Sequence, residues 1–226
     1  MTPARPHIGR DIPTRDLEIR HGHPHRAVVG IDEVGLAPLA GPVVACAILM
    51  PPGIPIHGVA DSKALTPLQR QRAAIQIRAA ALAIGIGAAS AREVEALNPR
   101  VASHRAMHRA VAQLVRRRGA MIDFALVDGT AAHGLTELIG PHETVIRGDA
   151  TVYAIACASI VAKVLRDDLM CRLAERYPHY AWERNVGYPA PAHLAGLDAH
   201  GVTPHHRRTF APVASRLTSA EGKRSR

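Results

Sequence analysis

Five short apolar segments, each bounded by turn residues, occur in an order that restricts what this chain can fold into. They comprise residues 27–31, 43–49, 83–88, 124–127 and 144–146, and each is predicted to form a strand. A turn rich in glycine and proline separates the first two segments, which indicates a hairpin. From the third segment onward, strands alternate with helical patterns. This order predicts one mixed α/β domain with helices packed on a central sheet.

Capping motifs and apolar periodicity predict where the helices lie. A capping box at residues 66–69 (TPLQ), with proline at its first helical position, predicts a helix that runs toward residue 82. Residues 90–93 (SARE) open a short helix, and an Asn-Pro pair opens a longer one over residues 98–118. Residues 151–176 are apolar almost all round in their first half. They predict a long helix that is buried there.

The charge of the chain indicates the kind of molecule that it binds. Lys and Arg number 28 against 19 Asp and Glu, for a net charge of +9, and only three of the cations are lysines. This excess favours a polyanion, with nucleic acid the first candidate. Aromatic residues make up only 3% of the chain, which argues against a module that binds bases by stacking. We therefore expect a basic domain that binds phosphates.

The cysteines and the ends of the chain indicate its setting and its domain organisation. The three cysteines are widely spaced and form no metal or disulfide motif, so we expect a cytoplasmic protein. No apolar run reaches the roughly 18 residues of a membrane span, so no membrane association is expected. We predict a flexible basic tail over residues 1–26, a single domain over residues 27–215 and a second tail over residues 216–226. We also expect a monomer.

Acidic residues follow three of the predicted strands. They are Asp32 and Glu33 after the first strand, Asp128 after the fourth and Asp149 near the end of the fifth. Four carboxylates gathered at one edge of a sheet would repel one another unless divalent cations neutralised them, and such ligands suit Mg²⁺ or Mn²⁺. Two such ions about 4 Å apart can bind both oxygens of a phosphodiester displacement. The alternative is that these residues are ordinary turn and cap aspartates.

The sequence around these acids resembles the ribonuclease HII family. The resemblance covers about residues 27–213, with the motifs in family order and at family-like spacing. Its parts are residues 30–35 (GIDEVG), 38–43 (PLAGPV), 61–65 (DSKAL), 127–129 (VDG), 148–149 (GD), 155–167 (IACASIVAKVLRD), 187–189 (GYP) with His193, and Gly201 with residues 206–210 (HRRTF). Each part alone is weak evidence, but the ordered set is highly specific.

The resemblance implies a fold, a reaction and a set of site residues. The fold is RNase H-like, a central mixed sheet flanked by helices, with a C-terminal helical extension. The reaction is hydrolysis of the RNA strand of RNA/DNA hybrids, and of DNA at embedded ribonucleotides, to give a 3′-hydroxyl and a 5′-phosphate. The catalytic and metal-binding residues would be Asp32, Glu33, Asp128 and Asp149, holding two Mg²⁺ or Mn²⁺ ions. Nucleic-acid contacts would come from Gly35, Leu36, Ala37, Ser62, Lys63, Lys163 and Tyr188.

Two of these substrate contacts have an alternative. Lys163 either contacts a phosphate or forms an ion pair within the long helix. Tyr188, in the GYP motif, resembles the family tyrosine that packs on a sugar beside the RNA–DNA junction. Three other aromatic residues lie between positions 177 and 182, however, and we predict that most of this group forms a packed patch under the C-terminal region.

The chain departs from the family pattern directly after the first two acids. Family members usually carry Gly-Arg-Gly or Gly-Lys-Gly there, and this chain carries Gly35-Leu36-Ala37. Leu36 cannot supply the cationic contact at the junction. Ala37 would be strained by about 1 kcal/mol if its position required a positive φ. We therefore predict intact metal chemistry with altered junction selectivity. A noncatalytic protein that binds hybrids with the same fold is the alternative function.

Overall fold

A computed structural model describes residues 12–130 and 135–224, except for the side chains beyond residue 217. Its sheet has five strands in the order β3-β2-β1-β4-β5. β1 is antiparallel to β2 and β2 to β3, whereas β1, β4 and β5 run parallel. The mixed sheet and the initial hairpin are therefore as predicted. The strands are β1 (Val28–Val34), β2 (Val43–Leu49), β3 (Ala83–Ala89), β4 (Phe124–Asp128) and β5 (His142–Val145).

The helices cover both faces of this sheet. They are α1 (Asp16–Arg20), α2 (Pro67–Ala80), α3 (Ala91–Leu97), α4 (Pro99–Arg118), α5 (Thr136–Ile139), α6 (Gly148–Thr151), α7 (Tyr153–Arg176), α8 (Trp182–Asn185), α9 (Pro191–His200) and α10 (Ala211–Arg224), with a 3-10 helix at Pro178–Tyr180. Thr66 and Ser90 form the predicted capping boxes of α2 and α3. No helix in the described residues is long and apolar enough to cross a membrane.

Alternation along the strands separates two apolar layers. Ala45 and Ala47 of β2 belong to the layer that packs against α4, whereas Cys46 and Ile48 belong to the layer under α2 and α7, because successive strand residues point to opposite faces. On β3, a Cβ added at Gly87 would lie 2.0 Å from the carbonyl oxygen of Ala106. The missing side chain therefore lets α4 lie directly on the sheet.

The C-terminal part of the chain forms the predicted helical extension. The 3-10 helix, α8, α9 and α10 pack with the end of α7 and the segment after β1 around a third buried cluster. Trp182 and Tyr180 are buried there, with ring centroids 5.1 Å apart. Most of the aromatic group is thus a packed patch.

The expected tails are shorter than predicted. Within residues 12–26, the Thr14 N–H donates to Thr151 O, and the Tyr153 N–H donates to Thr14 O. The His21 ring stacks on Phe124, and Glu18 is buried. This part of the segment packs on the domain because it pairs with the backbone just before α7. At the other end, the predicted tail begins inside α10, and Arg216 of this helix pairs with Asp198. Residues 1–11 and 225–226 of the predicted tails lie outside the described residues.

The position of Asp149 also differs from the prediction. Instead of following a strand directly, it lies in the one-turn helix α6. The long helix begins at Tyr153 rather than Thr151, because Val152 has an extended backbone that pairs with Thr14.

Candidate active site

Four carboxylates lie where β1 and β4 approach the same edge of the sheet. Asp32 and Glu33 lie near the end of β1, and Asp128 is the last residue of β4. Ile31 pairs with Val127 in parallel register, so both strands deliver their acids side by side. Asp149 joins them from α6, because Asp128 Oδ1 accepts hydrogen bonds from the N–H groups of Gly148 (2.7 Å) and Asp149 (3.4 Å).

Burial and mutual repulsion raise the pKa values of three of these acids. Burial is the main cause at Asp32, followed by the charges of Glu33 and Asp128. Burial and the Asp128 charge raise the pKa of Glu33 to about 7. The pKa of Asp128 rises through burial and the Asp149 charge. The site therefore favours a cation, because an added positive charge would relieve this repulsion.

Lys63 supplies one positive charge to the group. Its Nζ donates to Asp149 Oδ2 at 2.8 Å, and this hydrogen bond raises the lysine's pKa. The Lys63 side chain is 78% exposed, whereas that of Asp149 is 6% exposed. The ammonium group therefore covers a buried carboxylate and remains open to a ligand from solvent.

A polar network holds the Lys63 loop. Arg70 donates from Nε to Ser62 O at 2.9 Å and from Nη2 to Leu65 O at 3.0 Å. Its Nη1 lies 3.5 Å from Asp167 Oδ2, and Asp167 Oδ1 accepts from Lys163 Nζ at 2.7 Å. Of the two alternatives for Lys163, the structure shows the ion pair.

Ser62 has a buried side chain. Its Oγ lies 2.9 Å from Ser159 Oγ of α7, and Ser159 in turn hydrogen-bonds Asp32. This hydrogen bond lowers the pKa of Asp32, although burial and the neighbouring acids raise it by more. The Ser62 hydroxyl therefore supports the site from within.

A cavity of about 430 Å³ opens beside the carboxylates. Glu33 and Asp128 line it together with Arg100 and His104 of α4. Leu36 lies at this cavity with 36% of its surface exposed. A phosphate backbone entering here would meet the guanidinium of Arg100 as well as the acids, with an apolar side chain at position 36.

The backbone of the segment after Glu33 decides whether Ala37 is strained. Gly35 has φ +97°, and an added Cβ would lie 2.2 Å from Arg166 Nε. Ala37 is absent from the described residues that have positive φ. The condition under which Ala37 would be strained is therefore not met, because the left-handed position falls on Gly35.

Tyr188 lies on a neighbouring loop and is 41% exposed. The residue before it, Gly187, accepts a 2.8 Å hydrogen bond from the Leu39 N–H, which joins this loop to the segment after β1. His193 Nδ1 lies 2.8 Å from Tyr188 O. The tyrosine ring is thus the accessible member of an otherwise packed aromatic group.

The carboxylates can accept a metal, although their oxygens do not form a ligand shell. No group of three or more His, Cys, Asp and Glu side chains in the described residues has a metal-holding arrangement. Three of the acids instead accept hydrogen bonds from backbone N–H groups or Lys63. Glu33 Oε2, in contrast, is buried without a partner. An orphaned buried carboxylate oxygen among hard oxygen donors fits a divalent cation.

Several contributing residues could not be found by sequence reasoning. Arg70, Ser159, Arg166 and Arg207 all support the segments that carry the site. For the last three, the only available signal was their position inside the motifs at residues 155–167 and 206–210.

Comparisons with known proteins agree with this geometry. The sequence model of the family described as Ribonuclease HII matches residues 29–213. The chain is 50% identical over 184 residues to the Ribonuclease HII of Thermosynechococcus vestitus, covering 81% of this chain and 83% of that one. Among solved structures, the ribonuclease H2 of Pyrococcus horikoshii OT3 matches with a TM-score of 0.72 at 22% identity, over 86% of this chain and 98% of that one.

A second solved structure, Bst-RNase HIII in complex with Mn²⁺, has a TM-score of 0.66 at 16% identity, over 89% of this chain and 73% of that one. These structural matches confirm the predicted RNase H-like fold. The family match and the sequence identity together show that this chain belongs to the ribonuclease HII family, which is a family of endoribonucleases.

Proposed function

We propose that this protein hydrolyses the RNA strand of RNA/DNA hybrids and incises DNA at embedded ribonucleotides, leaving a 3′-hydroxyl and a 5′-phosphate. The observation that carries the proposal is the group Asp32, Glu33, Asp128 and Asp149 at one edge of the sheet, with a buried oxygen of Glu33 that has no partner. The family assignment supports it.

The four carboxylates would hold two Mg²⁺ or Mn²⁺ ions. When bound, such ions supply a metal-activated water as nucleophile and stabilise the charge on the reacting phosphate oxygens. Asp32, Glu33 and Asp128 fit this role because burial and repulsion raise their pKa values and so disfavour their anionic forms in the absence of a cation. The Mn²⁺ complex of the structurally similar Bst-RNase HIII supports the choice of a divalent ion.

Other residues of the site would position the nucleic acid. Lys63 would bind a phosphate next to the carboxylates, because its ammonium group is exposed while it remains bonded to Asp149. The Tyr188 ring would pack on a sugar at the junction, and residues 35–37 would follow the backbone there. Arg100, which also lines the cavity, adds a positive charge there.

A cleavage assay tests this function. Labelled duplexes with one ribonucleotide, four ribonucleotides and a full RNA strand would be incubated with increasing Mg²⁺ or Mn²⁺. Asp32→Asn should lower cleavage by about a thousandfold, because metal-assisted charge stabilisation contributes several kcal/mol to the transition state. Asp198→Asn, a surface carboxylate paired with Arg216, is the matched control and should cleave normally.

The same assay separates the enzyme from a noncatalytic hybrid-binding protein. Binding without cleavage in either ion would show that the chain kept the fold without turnover. Normal cleavage by Asp32→Asn would refute the assignment of the carboxylates.

A further inference from the structure

Two arginines are fully buried beside the active site. Arg166 of α7 and Arg207, before α10, each have 0% of their surface exposed. Every hydrogen bond that their side chains make within the described residues ends on a backbone carbonyl. Burial lowers the pKa of both, that of Arg207 to about 9. Burying a guanidinium costs free energy, because the charge loses its hydration. The carbonyl groups that bind it offset this cost only while they stay in place.

All but one of the carbonyls that they bind belong to the segment that follows the catalytic acids, residues 35–42, which we call the junction loop. Arg207 donates from Nη1 to Leu36 O at 2.7 Å, from Nη2 to Gly35 O, and from both Nε and Nη2 to Gly41 O. Because one rigid, planar group binds three carbonyls, it sets the path of the backbone at both ends of the loop.

Arg166 joins the junction loop to the loop that carries Tyr188. It donates from Nε to Pro42 O at 3.0 Å and from Nη2 to Ala40 O at 3.1 Å. Its third contact, from Nη1 to Val186 O at 2.9 Å, lies two residues before Tyr188. It also lies under Gly35, where any added Cβ would collide with it.

We infer that Arg166 and Arg207 are positioning residues that hold the backbone of residues 35–37 in its substrate-binding path beside Tyr188. This inference rests on the proposed function, because it assigns the junction loop to recognition of the ribonucleotide. The loop can keep its backbone conformation although Leu36 replaces a cation, because guanidinium groups beneath the loop hold that backbone. The side chain at position 36 faces the cavity instead.

Hydrogen exchange gives a readout that does not depend on catalysis. The Leu39 N–H donates to Gly187 O and the Gly41 N–H to His205 O, so both report on the junction loop. In Arg207→Met, exchange at these two amides should accelerate by about tenfold or more, since the substitution removes hydrogen bonds donated by a charged group, which are stronger than those between neutral groups. Exchange in β2 should change much less. Arg207→Lys keeps the charge but not the fork, so it should show an intermediate effect and serves if the Met variant does not fold.

Two control variants separate positioning from loss of stability. Leu114→Ala removes a buried contact of α4 in an apolar cluster whose buried members include no residue of the junction loop, and Arg216→Met removes a surface charge. Cleavage of a single-ribonucleotide duplex relative to a full hybrid should fall about tenfold or more in Arg207→Met, since small displacements of binding groups carry large rate effects. This ratio should stay unchanged in both controls.

The inference is overturned if the junction loop of Arg207→Met exchanges no faster than that of a Leu114→Ala variant of equal stability. It is also overturned if the loop exchanges faster while the cleavage ratio stays constant. If the unmodified protein cleaves neither substrate, the proposed function fails, and the exchange comparison still decides whether the two arginines hold the loop.

Discussion

Replacing Leu36 by arginine should restore a phosphate contact without reshaping the junction loop. Leu36 lies at the cavity beside Glu33 and Asp128, and its carbonyl oxygen is held by Arg207 Nη1 at 2.7 Å. The backbone at this position is therefore set from beneath, and the substitution changes only the side chain that faces the ligand. In the unmodified chain this position contributes no positive charge.

The expected magnitude follows from counterion release. One additional phosphate contact should steepen the slope of log Kd against log salt by about 0.9. Between about 50 and 200 mM salt, the affinity of Leu36→Arg should therefore fall by an additional factor of roughly 3.5 relative to the unmodified chain. Ala37→Gly should leave the slope unchanged and relieve no strain, because Ala37 does not have a positive φ.

The assay is fluorescence anisotropy with a single-ribonucleotide duplex, carried out in an Asp32→Asn background so that the duplex stays intact. Leu36→Gln is the matched control, because it adds polarity without charge and should not alter the slope. An unchanged slope in Leu36→Arg would refute the reasoning. So would an Ala37→Gly variant that steepens the slope as much as Leu36→Arg does.

Three further predictions concern stability and accessibility. Burial raises the pKa of Glu18 from 4.5 to about 7, so its contribution to stability is fully present below pH 4.5 and is lost as pH rises to about 7. The free energy of unfolding of Glu18→Gln, relative to that of the unmodified chain, should therefore rise by up to about 3 kcal/mol between about pH 4 and about pH 8. Thermal unfolding of both proteins at the two pH values measures this change, and the same stability difference at both would contradict it. Gly87→Ala should lower the free energy of unfolding by about 3 kcal/mol or more in denaturant titrations, because its Cβ would lie 2.0 Å from the Ala106 carbonyl oxygen. A loss below about 1 kcal/mol would show that α4 can move away. A thiol reagent should label Cys171 alone in the native protein, since the other two of the three cysteines are buried; fast labelling of two thiols would contradict the packing.

Local patterns predicted the secondary structure well because its causes are local. The capping boxes at Thr66 and Ser90 satisfy backbone donors only three positions away, so four consecutive residues were enough to find them. The packed aromatic patch also followed from residues close in sequence. The prediction was wrong for residues 12–26, because what orders them is pairing with the backbone at Thr151 and Tyr153, far along the chain.

The sequence by itself determined the fold class, the family and the identity of the four acids, because these depend on periodicity, spacing and side-chain chemistry. Only the tertiary structure decided how the site is supported. It placed Asp149 on a one-turn helix and Lys163 in an ion pair, and it put the positive φ at Gly35 rather than Ala37. It also joined Arg207 to a carbonyl 172 positions away. The physical reason is that a guanidinium donates to any backbone carbonyl that the fold brings within reach. Because every residue has such a carbonyl, the sequence does not show which one will be bound.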